Sequence, residues 1–197
     1  MYKNTKKTTP ISPLFTDDKS GKKSVKDMTG CLTILPNHTS KKTYKVMKWL
    51  YSNSITNRDQ NLFIPIKMVN GKWVTENLND VPIERLNNYG NKVDGELVFC
   101  HWKIRPSFND DIILGELIVS HKSIGLGSHF MKSLCDKCDE LGVPIIINEI
   151  RPFGKIEFNG RRLYKKDLFK FYRKSGFKID YQDSKGFRKP INKQNRR

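Results

Sequence analysis

Gly125 and Gly127 stand one residue apart, between an apolar run that ends near Ser120 and an amphipathic run that begins near Ser128. A junction of that kind suits one chemistry. The first turn of a helix carries unpaired backbone N–H groups and the positive end of the helix dipole, and glycines let a phosphate come close. The same pair could equally form a tight turn that binds nothing. A second chemical feature is Glu116, a carboxylate in a run otherwise made of Ile, Leu and Val. It marks either a working acid–base group or, with Gly115, an exposed edge or bulge. His101, His121 and His129 are assigned no catalytic role. His121 adjoins the glycine loop and could help bind an anion, but a solvent-facing loop histidine is the commoner explanation. Cys135 and Cys138 form a lone CxxC within a helical pattern. Structural zinc takes four ligands, and no second pair follows, so no metal site is expected.

The glycine pair is tested against known phosphate loops. GxxxxGK[ST] occurs nowhere in the chain, which removes the Walker type. A dinucleotide fingerprint needs a third glycine where Phe130 stands, although Glu149 lies at a suitable distance for a ribose contact. About fifty residues then remain, too few for the further βαβ units that fold requires.

The elements that must position these groups are legible from periodicity. The 197 residues allow one domain with tails. Residues 1–29, lysine-rich and aperiodic, read as a flexible basic arm; 30–181 read as the folded body; 182–197 read as a basic tail. Within the body, 30–37 suggests a short strand. Tyr44, Met47, Leu50 and Tyr51 follow helical spacing behind a cap at Thr39 or Ser40. Asn70-Gly71 between two β-rich runs signals a hairpin, with Pro65 pushing the first run toward an edge. Runs over 95–104 and 110–120 complete four antiparallel strands. A helix over 128–141 ends on Gly142, and 143–148, apolar without alternation, reads as a buried strand parallel to its predecessor. A helix over 163–175, Gly176 and a last strand near 177–181 follow. The expected fold is α/β with a mixed sheet.

Thirty-seven Lys and Arg against twenty Asp and Glu give a formal charge of +17, which directs the molecule toward polyanions, nucleic acid first among them. No apolar run approaches the roughly 18 residues of a membrane span, and the first residues lack a hydrophobic signal core. The expectation is a cytoplasmic protein with reduced cysteines and no membrane partner.

Lys122-Ser123-Ile124-Gly125-Leu126-Gly127 resembles the [QR]xxGx[GA] loop of the GNAT N-acetyltransferase superfamily, with lysine departing from the first position. Phe171-Tyr172-Arg173-Lys174-Ser175-Gly176-Phe177 resembles the LYxKxGF segment that closes GNAT domains. The two motifs stand in the family's order, and the resemblance covers about residues 95–181. It implies a GNAT-like fold: mostly antiparallel strands, then a parallel β-α-β unit and a terminal helix and strand. It implies acetyl-CoA as acyl donor and direct attack by an amine. Ile118, Val119 and Ser120 would pair with the pantetheine arm. Lys122 and the backbone from Ser123 through Ile124, Gly125, Leu126 and Gly127 to Ser128 would hold the pyrophosphate. Phe171 and Asn148 would line the cofactor cleft, with Glu149 near the thioester. Tyr172 matches the family's usual general acid, its alternative being plain packing beside Phe171. Glu116 matches a glutamate that serves some members as general base; Glu149 or a water relay is the substitute. The charge then favours an acceptor that is nucleic acid or bound to it. A GNAT scaffold that binds nucleic acid without catalysis, or one that transfers a different acyl group, is the alternative.

Overall fold

Val25 is only 2 % exposed, although it lies in the stretch expected to be a flexible arm. It centres β1 (Ser24–Lys26), which pairs antiparallel with β2 (Leu32–Ile34) as a separate two-stranded sheet. The ordered chain thus begins ahead of residue 30. One buried valine between a serine and a lysine is too short a pattern to be read as a strand. The computed structural model describes residues 23–26, 32–56, 62–75, 98–120, 125–152 and 164–191.

Ser40 caps α1 (Lys41–Ser52): its Oγ accepts the Thr43 N–H at 3.2 Å. Val46, Met47, Leu50 and Tyr51 bury one face of this helix, while Lys41, Lys42 and Lys45 stay in water. Just past its end, the Ser54 hydroxyl accepts a hydrogen bond from the buried Trp102 indole at 2.9 Å. That bond satisfies the one polar atom of a ring otherwise packed for its apolar area.

The remaining strands are β3 (Ile55–Thr56), β4 (Leu62–Val69), β5 (Lys72–Thr75), β6 (Val98–Pro106), β7 (Ile112–Val119), β8 (Ile145–Ile147), β9 (Lys178–Asp180) and β10 (Lys185–Arg188). They form one mixed sheet in the order β3-β4-β6-β7-β8-β10-β9, with β5 also on β4. Among these, β7 and β8 pair in parallel and the other pairs are antiparallel. The β4–β5 hairpin turns on Asn70 (φ 50°) and Gly71 (φ 71°), the two left-handed residues a two-residue turn of this twist requires. Pro65 does not make β4 an edge strand along its length. It falls in the gap between the residues paired to β3 and those paired to β5, where β4 has β6 alone as neighbour.

Helix α2 (Leu126–Leu141) links β7 to β8 and ends on left-handed Gly142; it starts two residues earlier than the expected Ser128. Leu126, Phe130, Met131 and Leu134 meet Ile112, Leu114, Ile145 and Trp102 in the core. Helix α3 (Lys165–Lys174) precedes β9. The last strand is a correction. β10 lies in the segment expected to be a tail, yet it inserts between β8 and β9. Its inward residues are Gly186 and Arg188, so no apolar alternation announces it. Arg188 is held instead by Asp139 of α2 through two bonds of 2.7 and 2.8 Å.

Candidate functional site

In β7, Leu114 opposes Ile104 and Glu116 opposes Lys103, so Gly115 is an extra residue. It makes a β-bulge, which bends and overtwists its strand. Before the bulge, Ile112 and Ile113 pair with Ile145 and Ile146 of β8. The parallel ladder ends before the bulge: from Leu114 to Val119 the register gives β7 no partner in β8. β8 itself ends at Ile147.

The same bulge decides which backbone groups face the opening. Ahead of it, the Ile112 N–H donates to Pro144 O at 3.0 Å, toward β8. Beyond it, the Ser120 N–H donates to Phe99 O at 3.0 Å, and its Oγ accepts the Phe99 N–H at 3.0 Å, toward β6. Successive residues alternate, so Leu117 and Val119 turn their N–H and C=O groups to the side that β8 has left. Of the three residues expected to meet an extended ligand, Val119 therefore has the right direction. Ile118 and Ser120 face β6. Leu117, which sequence reasoning did not name, faces the same way, because the bulge that Gly115-Glu116 offered in the sequence inverts the alternation beyond it.

The mouth of this opening is the start of α2. Gly125 adopts φ 88° and is the N-cap, a left-handed conformation that disfavours other residues. The first helical bond runs from His129 N–H to Gly125 O at 2.9 Å, leaving the N–H groups of Leu126, Gly127 and Ser128 ahead of it. Among the described residues no side-chain cap is present at this end, and no acid stands in its first turn. The Leu126 side chain is core, 1 % exposed, so that residue contributes main chain alone. A Cβ added to Gly127 would stand 3.5 Å from both Val119 Cγ1 and Phe171 Cζ. The end of β7, the start of α2 and α3 thus converge on one glycine. Lys122, Ser123 and Ile124, with His121, lie outside the described residues.

From Phe171 a chain of rings leads inward. Phe171 meets Tyr172 at 5.1 Å between centroids, and Tyr172 meets Phe177 at 5.6 Å. A Cβ added to Gly186 would stand 3.4 Å from Phe177 Cδ1 and 3.3 Å from Cδ1 of Ile147, at the end of β8. Tyr172 thus lies between the glycine turn and the far side of the opening. Burial pushes its phenol up to about 12.

The carboxylates separate. Glu116 and Leu117 fall on opposite faces of β7; Leu117 is opposite buried Trp102, Glu116 opposite Lys103. Glu116 Oε1 lies 3.9 Å from His101 Nδ1 and its Oε2 3.5 Å from Lys103 Nζ. Burial, above all, pushes the His101 pKa below its usual value; Glu116 opposes that shift and Lys103 adds to it. The imidazole is therefore neutral at pH 7 and can accept a proton. Glu149, the substitute base, is an exposed residue 3.4 Å from Arg151 Nε, and Asn148 is exposed just past β8.

Cys100 and Cys135 are buried thiols pushed up to about 12 and about 11 by desolvation, and Cys138 is raised further by the same cause. Thiols so raised are poor nucleophiles. Among the described residues no cluster of three His, Cys, Asp or Glu could hold a metal, and no helix is long and apolar enough to cross a membrane.

This arrangement defines a mixed α/β fold in which β7 and β8 pair in parallel over two residues. No family model matches the chain, and no curated protein matches its sequence. The crystal structure of the anti-CRISPR protein AcrVA5 aligns over 49 % of this chain and 92 % of that one, at 20 % identity and a TM-score of 0.33. A likeness of that size carries no functional weight.

Proposed function

We propose that this chain is an acetyl-CoA-dependent N-acetyltransferase of the GNAT type. The observation that carries the reading is the run of β7 beyond Ile113 that has no partner in β8, with the Leu117 and Val119 backbone groups turned away from β6 and the start of α2 at its mouth. Acetyl-CoA, when bound, supplies an acetyl group activated as a thioester for attack by an amine. Leu117 and Val119 offer N–H and C=O groups to an extended amide chain, as an edge strand does. The N–H groups of Leu126, Gly127 and Ser128 and the helix dipole receive a diphosphate. The closeness of Gly127 to Val119 and Phe171 brings these two subsites together.

Tyr172 is the residue assigned to the departing sulfur, on its ring contacts with Phe171 and Phe177. An ordinary thiol, with a pKa of about 8.5, is a stronger acid than a phenol near 12. Complete proton transfer from Tyr172 alone would therefore run uphill, and its role is to donate a hydrogen bond to the leaving thiolate. The proton comes from the amine, which must lose one on acylation. Glu116 takes the part of general base, with neutral His101 beside it.

The acceptor is an amine on nucleic acid or on a protein bound to it, in keeping with the charge of +17. The test is a thermal melt with CoA or acetyl-CoA, followed by turnover over a panel of amines. A ligand at 100 times its Kd stabilises the native state by about 2.7 kcal/mol. We expect a clear rise in Tm and release of free CoA. An unchanged Tm at large excess of either ligand removes the reading.

A further inference from the structure

The exposed side of α3 carries Lys165, Lys166, Lys170, Arg173 and Lys174, and Lys178 follows on β9. Rings lie among these cations. Tyr181, 53 % exposed, stands edge-on to Phe169 with centroids 5.0 Å apart. Lys165 Nζ lies 5.8 Å above the Phe169 ring, and Arg173 Nη1 donates to the Tyr181 hydroxyl at 3.1 Å. At the head of the helix Tyr164, 54 % exposed, has Lys166 Nζ 5.5 Å from its ring. The acids of this surface are engaged elsewhere. Asp167 accepts the Tyr164 N–H, Asp180 accepts the N–H groups of Gln182 and Asp183, and Asp183 pairs with Lys185.

We infer that this α3–β9 surface binds single-stranded nucleic acid, with phosphates along the lysines of α3 and a base stacked on Tyr181. A duplex keeps its base faces stacked inside and would have no use for an exposed ring held between Arg173 and Phe169. A single strand presents both bare base faces and phosphates, and base–aromatic stacking with a basic track is how such strands are held. Arg173 and Phe169 fix the tyrosine in place before any ligand arrives, which lowers the ordering cost of binding. Ten helical residues span about 15 Å, enough for a few nucleotides. The inference deepens the acceptor half of the function proposed above by naming the strand's own binding surface. Its test uses no acyl donor, so its failure leaves acyl transfer to small amines untouched.

The experiment is fluorescence anisotropy of the full chain with a labelled oligothymidine of about 12 nucleotides, a length within the range such platforms cover. Salt is titrated, a duplex of equal length is compared, and vesicles of phosphatidylserine and phosphatidylcholine are run alongside. Tyr181→Ala should weaken oligonucleotide binding by about 5- to 100-fold, while Tyr181→Phe, which keeps the ring, should bind nearly as the native chain does. K170E with R173E should flatten the dependence of log K on log salt, by about 0.7 for each phosphate no longer neutralised. Thermal melts of each variant establish that it is folded. Tyr181→Ala binding as tightly as the native chain, the duplex binding as tightly as the single strand, or Tyr181-dependent binding to vesicles alone would each overturn the inference.

Discussion

Tyr172 is 8 % exposed and its phenol is pushed up to about 12. Two consequences follow at the scale of one side chain. Tyr172→Phe should lower kcat about 100-fold or more, the size expected for losing one donor to a developing charge, while KM for acetyl-CoA changes little. Steady-state kinetics with a saturating amine measures both, and equal losses in both would remove the donor role. The second consequence is on stability. Below pH 10 the phenol is protonated in folded and unfolded chains alike, and its contribution is fully present. As pH rises from 10 toward 12 the unfolded chain releases the proton first, so the native state loses about 2 to 3 kcal/mol. Urea melts of the native chain should show that alkaline loss, and Tyr172→Phe should lack it. Tyr172 and Gly125 were legible in the sequence because each sits in a local motif. Leu117 and His101 were not, since their positions depend on cross-strand register, which no single segment contains. Glu116 was legible as an odd carboxylate in an apolar run; that it shares a face with His101 and Lys103 was not.

At the scale of elements, periodicity gave the long pieces and the short strands β2, β8 and β9, and missed β1, β3 and β10. The apolar faces of α1 and α2, the Asn70-Gly71 hairpin and the β7–α2–β8 unit were all predicted, because each carries several residues of one pattern. β1 and β10 were assigned to mobile ends. For β10 the reason is physical: its inward residues are a glycine and an arginine, and the strand is anchored by charge instead of apolar area. Arg188 donates to both oxygens of Asp139, both side chains are 5 % exposed, and its Nε donates to Ser175 O. Breaking such a pair leaves a buried carboxylate uncompensated. Arg188→Ala should therefore cost about 3 to 5 kcal/mol, and R188M with D139L should recover much of it. Chemical denaturation of the three proteins checks this. A loss under about 1 kcal/mol for Arg188→Ala would show that β10 is held by its ladder alone. Because β10 lies beside β8, this ion pair and the two ladders of β10 together place the strand next to the opening.

Across the whole molecule, the sheet is joined at Ile112 and Ile113 and divided beyond them. The antiparallel strands from β3 to β7 lie to one side, and β8, β10 and β9 to the other. Helix α2 starts from the end of the first group and returns the chain to the second. The proposed donor site lies along that division, and the basic surface of α3 lies beyond it. We place a diphosphate-bearing thioester in that division, and amide hydrogen exchange with and without CoA is the experiment that reads it. Added protection is expected in peptides spanning residues 114–130, with strands β4 and β5 unchanged. Protection absent from 114–130, or confined to other segments, would contradict that placement.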